Sequence, residues 1–185
     1  MPASPLLRPW TAADAPDLHA AFTADPSLEY QLGRRLDDAR QAAEYLEASL
    51  TGLERRRSFA VDVDGVAVGN IGISAIDPRH QTAWISYWIA PSARGLSLAA
   101  RGVASAAAWA FSDAGLFRLE LGHRTNNPAS CRVALRAGFR SEGIERGKLR
   151  YGDVRFDVAT HARLASDPQP GIVPLPRQSP GSSTS

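Results

Sequence analysis

Cysteine and lysine are almost missing from this sequence: each occurs once, as Cys131 and Lys148. A single cysteine excludes a disulfide framework and any cysteine-built metal cluster, so no metal is expected. With one lysine, the positive charge rests on arginines spread along the whole chain, which reads as a composition bias. The 21 basic and 19 acidic residues leave a net charge of only +2. That balance argues against a nucleic-acid partner attracted by charge. Long apolar runs are also absent. Nothing approaches the ~20 residues of a membrane helix, and "MPASPLLRPW" lacks the apolar centre of a signal peptide. No membrane partner is expected, and a reducing cytoplasm is the expected location.

The 185 residues, 44% hydrophobic and 22% charged, suit one soluble domain with a real core. "LLRPW" reads as a first strand. Thr11 followed by Asp14 and Pro16 signals a helix start. A second helix begins at Asp37 or Asp38 and repeats apolar residues at Ala42, Ala43, Leu46, Leu50 and Leu53. Asp64-Gly65 marks a hairpin between "SFAVDV" and "VAVGNIGISAI", the latter broken by Gly69 and Gly72. "TAWISYWIA" is apolar enough for a central strand. An alanine-rich helix, the strand "LFRLELGH", a helix from Asn127 to Ala137 and a strand pair around Tyr151-Gly152 complete the chain. The order β-α-α-β-β-β-α-β-α-β-β predicts an α/β fold, a mixed sheet with helices on both faces. From Ser166 the sequence is rich in Pro, Ser and Gly. Residues 166–185 are expected to form a disordered tail beyond a domain at 5–165.

The stretch "YWIAPSARGLSLAARGVASAAAWAF" combines strand, short loop and long helix. A helix N-terminus presents about four unpaired N–H groups and roughly half a positive charge, and so suits a phosphate. Arg94 can add a charged fork. Ser97 keeps its N–H if its φ is negative, and adds a hydroxyl while narrowing the space. Without further motifs, Leu96 or Ser97 is equally well read as the plain start of a core helix.

Several motifs in order resemble the GCN5-related N-acetyltransferases (GNAT), and within them the branch acting on ribosomal-protein N-termini (RimJ/RimL-like). The pyrophosphate loop of that family, Arg/Gln-x-x-Gly-x-Gly/Ala, stands here as Arg94-Gly95-Leu96-Ser97-Leu98-Ala99, with its central glycine replaced. Tyr87-Trp88-Ile89-Ala90-Pro91 matches the lead-in. Asn127, Ser130, Gly138, Phe139, Glu142 and Gly143 match "N-x-x-S…G-F…E-G", and Arg155-Phe156-Asp157 carries the later Arg-Asp signature with one residue inserted. The resemblance spans roughly residues 5 to 165. It implies a single-domain, mostly antiparallel sheet flanked by helices, with acetyl-CoA as cosubstrate and an amine as acceptor. The acceptor is either a protein N-terminus or a small molecule. It further implies that Trp84 to Ala90 splays from Arg118 to His123, leaving Ile89 and Ala90 for the pantetheine arm. The backbone of Arg94, Gly95, Leu96, Ser97, Leu98 and Ala99 would hold the pyrophosphate, with Asn127 and Ser130 close by. A homodimer is compatible with this pattern.

Acetyl transfer needs a neutral amine, a stabilised oxyanion and a protonated leaving thiolate. Trp84 occupies the position where many relatives carry a basic glutamate. Asp62, Asp77, His80, Glu120 and His123 are the substitutes, of which His123 ends the strand that passes the thioester. Ala134 stands at the usual tyrosine donor, so the resemblance points to Ser130 instead. Asn127 doubles as a helix N-cap, and Cys131 reads as a packed small side chain. The aromatics Trp84, Tyr87, Trp88, Trp109 and Phe111 read as core packing. Strand alternation sets Trp84 and Ser86 on one face and Ile85 and Tyr87 on the other. Which pair faces the cleft stays open. By analogy the acceptor lies between the first helices and the hairpin at Tyr151, with Asp25, Glu29 and Asp153 steering the amine. The replacements at Trp84, Ala134 and Ser97 also admit a non-catalytic acyl-CoA-binding module.

Overall fold

A computed structural model of the protein describes residues 4–51 and 56–178. The chain runs β1 (Leu6–Pro9), α1 (Ala15–Ala24), the single turn α2 (Glu29–Leu32) and α3 (Ala39–Ser49). It continues through β2 (Arg57–Val63), β3 (Val66–Asp77), β4 (Thr82–Ile89), α4 (Leu98–Ser112) and β5 (Arg118–Arg124). Then come α5 (Pro128–Arg136), β6 (Arg140–Tyr151) and β7 (Val154–Leu164). This is the order read from the sequence, with short extra turns.

Local chemistry explains most of the boundaries. The Thr11–Asp14 capping box forms just ahead of α1, with the Thr11 N–H donating to the Asp14 carboxylate at 2.8 Å. Asp38, rather than Asp37, caps α3, accepting the Gln41 N–H at 2.7 Å. Leu53 falls outside the described residues. Between β2 and β3, Asp64 and Gly65 both have positive φ, 54° and 87°. That is the shape that matches the twist of a two-residue hairpin. β3 is not broken at its glycines. Its register shifts between Val61 and Asp62, leaving Val68 as the extra residue of a bulge. A side chain at Gly69 would lie 2.6 Å from the Trp88 carbonyl, so the close approach of β4 requires glycine there.

The sheet order is β1-β2-β3-β4-β5-β7-β6. Every pair is antiparallel except β4 with β5. β4 is therefore central, as its apolar run suggests. On one face α1 and α3 cover a core of Trp10, Leu18, Phe22, Leu46 and Trp88. On the other, α4 and α5 cover Ile71, Ile73, Ile85, Val103, Leu119 and Phe139. Alanine along α4 lets it lie close: the position of a Gly102 side chain would be 3.0 Å from Ile71. Trp88 is 5% exposed beside Trp10, and Trp109 meets Phe59 edge-on with centroids 5.6 Å apart. Both are packing aromatics. Arg8 joins β1 to its surroundings, donating to Asp14 at 2.8 Å and to Asp62 at 2.7 Å in a nearly buried triad. Among the described residues no helix is long and apolar enough to cross a membrane.

The segment after Ser166, expected to be disordered, instead packs back on the domain as far as Gln178. The Leu7 N–H donates to the Pro176 carbonyl and the Gln178 N–H to the Leu7 carbonyl, each at 2.8 Å. Leu175 is 2% exposed and belongs to the α4-side core. The physical reason lies in β1. As an edge strand it has open backbone groups, which a short proline-containing segment can pair on one side. Residues 179–185 lie outside the described ones.

Candidate active site

β4 and β5 pair only at their beginnings, Thr82↔Arg118, Ala83↔Leu119 and Trp84↔Glu120. Beyond Trp84 they diverge. The Ala90 N–H donates to the Val68 carbonyl of β3 at 2.8 Å. By alternation the backbone of Tyr87 and the N–H of Ile89 point toward β5, where no strand meets them. The expected splay is thus present. Ala90 itself does not offer its backbone, because its carbonyl also accepts from Ala93 at 2.9 Å. Arg94 Nε takes the Ile89 carbonyl at 3.0 Å.

Above the splay, the loop into α4 turns through two left-handed residues, Gly95 at φ 83° and Ser97 at φ 61°. The negative φ on which the availability of the Ser97 N–H was made conditional is not the one adopted. The serine adopts the conformation that glycine favours, which costs an L-residue about 1–2 kcal/mol. Leu98, Ala99 and Ala100, as the first residues of α4, have no backbone acceptor among the described residues, and the first α4 bond is Arg101 N–H to the Ser97 carbonyl at 3.1 Å. These free amides, the open space at Gly95 and the exposed Leu96 side chain form a cradle suited to a pyrophosphate. Arg94 is less free than expected, since its guanidinium pairs with Asp25. Arg136, at the end of α5, donates to Ser97 Oγ at 2.9 Å. It brings a second arginine to the loop that sequence reasoning missed.

α5 closes the other side of the splay. Asn127 accepts the Ser130 N–H at 3.1 Å, confirming it as N-cap. The Ser130 hydroxyl has no hydrogen bond among the described residues. Tyr87 Oη reaches the Ser130 carbonyl at 3.5 Å, the long limit of a hydrogen bond. Burial raises the Tyr87 pKa, and nearby Cys131 adds to the rise against the contact with Ser130. The phenol therefore stays protonated at neutral pH. From sequence Tyr87 counts among the packing aromatics, with alternation leaving open whether its face or that of Ser86 meets the cleft.

His123 is the one candidate base that lies in the cleft. Asp62 is bound by Arg8, and Asp77 caps the turn through Arg79 and His80 at 2.8 and 3.1 Å. His80 is exposed on that turn, and Glu120 pairs with Arg118 at 2.8 Å. His123 is 8% exposed, and its Nδ1 lies 2.9 Å from the Arg124 carbonyl. A carbonyl only accepts, so Nδ1 carries the proton and Nε2 the lone pair. His123 Nε2 and His161 Nδ1 are both buried without a hydrogen-bond partner among the described residues, and the rings lie 5.0 Å apart. Burial lowers the His161 pKa, and the neighbouring His123 ring lowers it further. His161 comes from β7, whose register against β5 no local pattern discloses. Cys131 is half-buried, and its sulfur lies within 4.8 Å of the ligating atoms of both histidines.

One cavity of about 500 Å³ connects the splay to the α3 face. Ser130, His123 and Tyr87 line one end, and Ser58, Asn70, Ser86 and Trp88 line the other. So both strand faces contribute: Tyr87 on the α5 side and Ser86 on the α3 side. Trp84 instead packs across Gly122 with Lys148 over its ring at 5.2 Å. The acidic residues expected to steer an amine do not line the cavity. Asp25 pairs with Arg94, Glu29 with Arg35 at 3.7 Å and Asp153 with Arg150 at 2.8 Å.

A family model described as an acetyltransferase (GNAT) domain matches residues 6–140. The chain belongs to the GNAT acetyltransferases. It is an N-acetyltransferase, transferring an acetyl group to an amine, and the family uses acetyl-CoA. This GNAT chain is 25% identical over 161 residues to an uncharacterized N-acetyltransferase, YoaA, of Bacillus subtilis, covering 85% of the chain and 91% of that protein. It is 29% identical over 108 residues to the ribosomal-protein-serine acetyltransferase of Escherichia coli, covering 58% and 60%. A solved structure of Mycobacterium smegmatis RimJ in complex with CoA-disulfide superposes with a TM-score of 0.74 at 27% identity, covering 88% of the chain and 87% of RimJ. These likenesses place the GNAT domain in a RimJ/RimL-like branch.

Proposed function

We propose that this enzyme acetylates an α-amine, at a protein N-terminus or on a small molecule, by direct transfer within the β4–β5 splay. The observation that carries the proposal is the convergence of free α4 amides, unpaired β4 backbone, Ser130 and His123 on one continuous cavity. The amides of Leu98, Ala99 and Ala100 hold the pyrophosphate, with Arg94, Gly95, Leu96 and Ser97 shaping the loop. Tyr87 and Ile89 offer backbone groups to the pantetheine arm, and Asn127 holds α5 against it. An α-amine has a pKa near ~8, so His123 need remove its proton only weakly. As the C–N bond forms and the C–S bond breaks, the Ser130 hydroxyl passes a proton to the departing sulfur and regains one through solvent, which takes up the proton that His123 removed from the amine, while Tyr87 contacts the Ser130 carbonyl. The name of the E. coli relative, a ribosomal-protein-serine acetyltransferase, supports a protein acceptor. An unpaired Cys131 suits a reducing compartment, and we infer a cytoplasmic setting.

The test is calorimetric titration with acetyl-CoA, with pantetheine as control, followed by a thiol-release assay on N-terminal peptides. Micromolar binding that needs the pyrophosphate, with turnover, is expected. Binding of pantetheine as tight as acetyl-CoA, or no binding of either, overturns the proposal.

A further inference from the structure

The acceptor end of the cavity has a one-sided charge. Among the described residues that line it, the ionisable charges are Arg56 and Arg124, and no aspartate or glutamate is present. Neither arginine has an ion-pair partner among the described residues. Arg56 makes only a 3.5 Å contact to the Ser49 carbonyl. Arg124 lies over the rings of Tyr151 and Phe156 at 5.3 and 5.1 Å, a stacking that fixes its plane and leaves its N–H edge unpaired. Tyr151 in turn stacks on Tyr30 at 4.1 Å, tying the β6–β7 hairpin to the α2 turn over the cavity mouth. Trp88, on the floor, has a buried indole N–H without an acceptor. The remaining polar lining is uncharged, made of serine and tyrosine hydroxyls and the amides of Gln31, Asn127 and Asn70, the last with its oxygen already taken by Trp10 at 2.8 Å.

A polyamine needs carboxylates to replace the water around its several ammonium groups. This lining supplies donors and cations instead. We infer that the acceptor is an amine that carries a carboxylate, either an α-amino acid or a peptide whose first residues are acidic. Arg124 holds that carboxylate in its fork, and Arg56 adds charge at the rim. The amine then points along the cavity toward His123. This inference rests on the acetyltransferase reading of the cleft and narrows its substrate.

Binding is measured separately from chemistry. The protein, alone and saturated with CoA, is titrated with two pairs of amines: serine against serinamide, and amidated tripeptides headed by aspartate against asparagine. Spermidine is the third probe. In at least one pair the carboxylated member is expected to bind about tenfold tighter, with spermidine weakest. Arg124→Gln should remove that preference, Arg124→Lys should keep part of it, and Arg56→Gln should reduce it less. Unchanged acetyl-CoA binding shows that the variants are folded. Equal affinity within both pairs, or spermidine binding as tightly as the best probe, overturns the inference while leaving the transferase reading intact. Failure of acetyl-CoA to bind sinks that reading, and the titrations without CoA still report the preference.

Discussion

The proposed cofactor side and the proposed acceptor side of this enzyme are built from different material. Around α4 and the splay, the working groups are backbone: free amides at Leu98 to Ala100 and the unpaired edge of β4. Around α2, α3 and the β6–β7 hairpin they are side chains, Arg124 stacked on Tyr151 and Phe156 above a floor of serines. A backbone site tolerates substitution, because almost any residue supplies an N–H. Ser97 in a glycine-like conformation is the example. A side-chain site changes its ligand whenever a residue changes. The two halves should therefore respond differently to mutation.

The largest effect is expected far from both, in the triad that anchors β1. Asp14→Asn removes a charge from Arg8 in a nearly buried setting and should cost about 3 kcal/mol. Burial alone raises the Asp14 pKa, but the Arg8 fork and the Thr11 N–H outweigh it and hold the carboxyl below its ordinary value. A depressed carboxylate stabilises the fold above the unfolded pKa of ~3.9 and loses that contribution as pH falls through the folded value. The gap in stability between wild type and variant should thus be constant above about pH 5 and close in acid. Urea unfolding across pH checks this, and a gap that widens in acid contradicts it.

Next is the junction of the halves. Ser130→Ala should lower kcat by up to about a hundredfold, the scale of general acid catalysis, with acetyl-CoA affinity unchanged. Tyr87→Phe should lower it less. If Ser130→Ala leaves kcat intact, the sulfur takes its proton elsewhere and the phenol becomes the leading donor.

The same contrast explains what was legible in the sequence. Strand and helix order, the hairpin at Asp64-Gly65, the Asn127 cap and the strand–loop–helix stretch into α4 are all local patterns, and the structure has them in place. His161 beside His123, Arg136 on Ser97 and Arg124 beneath Tyr151 depend on register and on contacts between distant segments. Asp25 looked like an amine-steering acid because its partner Arg94 is 69 residues away. Leu175 was hidden in a proline-rich composition that reads as disorder, although its burial needs only one apolar side chain and an open strand edge.

Asp25 and Arg94 link the two sides, which makes the pair a sharper probe of the comparison. The Arg94 side chain is 53% exposed, so Asp25→Asn should cost less than about 1 kcal/mol of stability. It should also release Arg94 toward the pyrophosphate and tighten acetyl-CoA binding by less than about tenfold. Weaker acetyl-CoA binding would instead mean that the pair is needed to shape the loop.

The smallest effect is expected where the sequence departs most visibly from its family, at Ser97. Ser97→Gly relieves a left-handed conformation worth about 1–2 kcal/mol. It also gives the unfolded chain extra freedom worth about 0.5–1 kcal/mol, and it removes the exposed hydrogen bond from Arg136. These contributions oppose one another, so net stability should move by less than about 1 kcal/mol. Acetyl-CoA affinity should also change little, because the amides of Leu98, Ala99 and Ala100 keep their places. Ser97→Val separates the contributions: a β-branched residue resists positive φ far more than serine does. It should destabilise the loop and weaken acetyl-CoA binding together, while serine and glycine behave alike. If valine is tolerated as well as serine, the left-handed turn is not what exposes the amides, and the cofactor side depends on side chains after all.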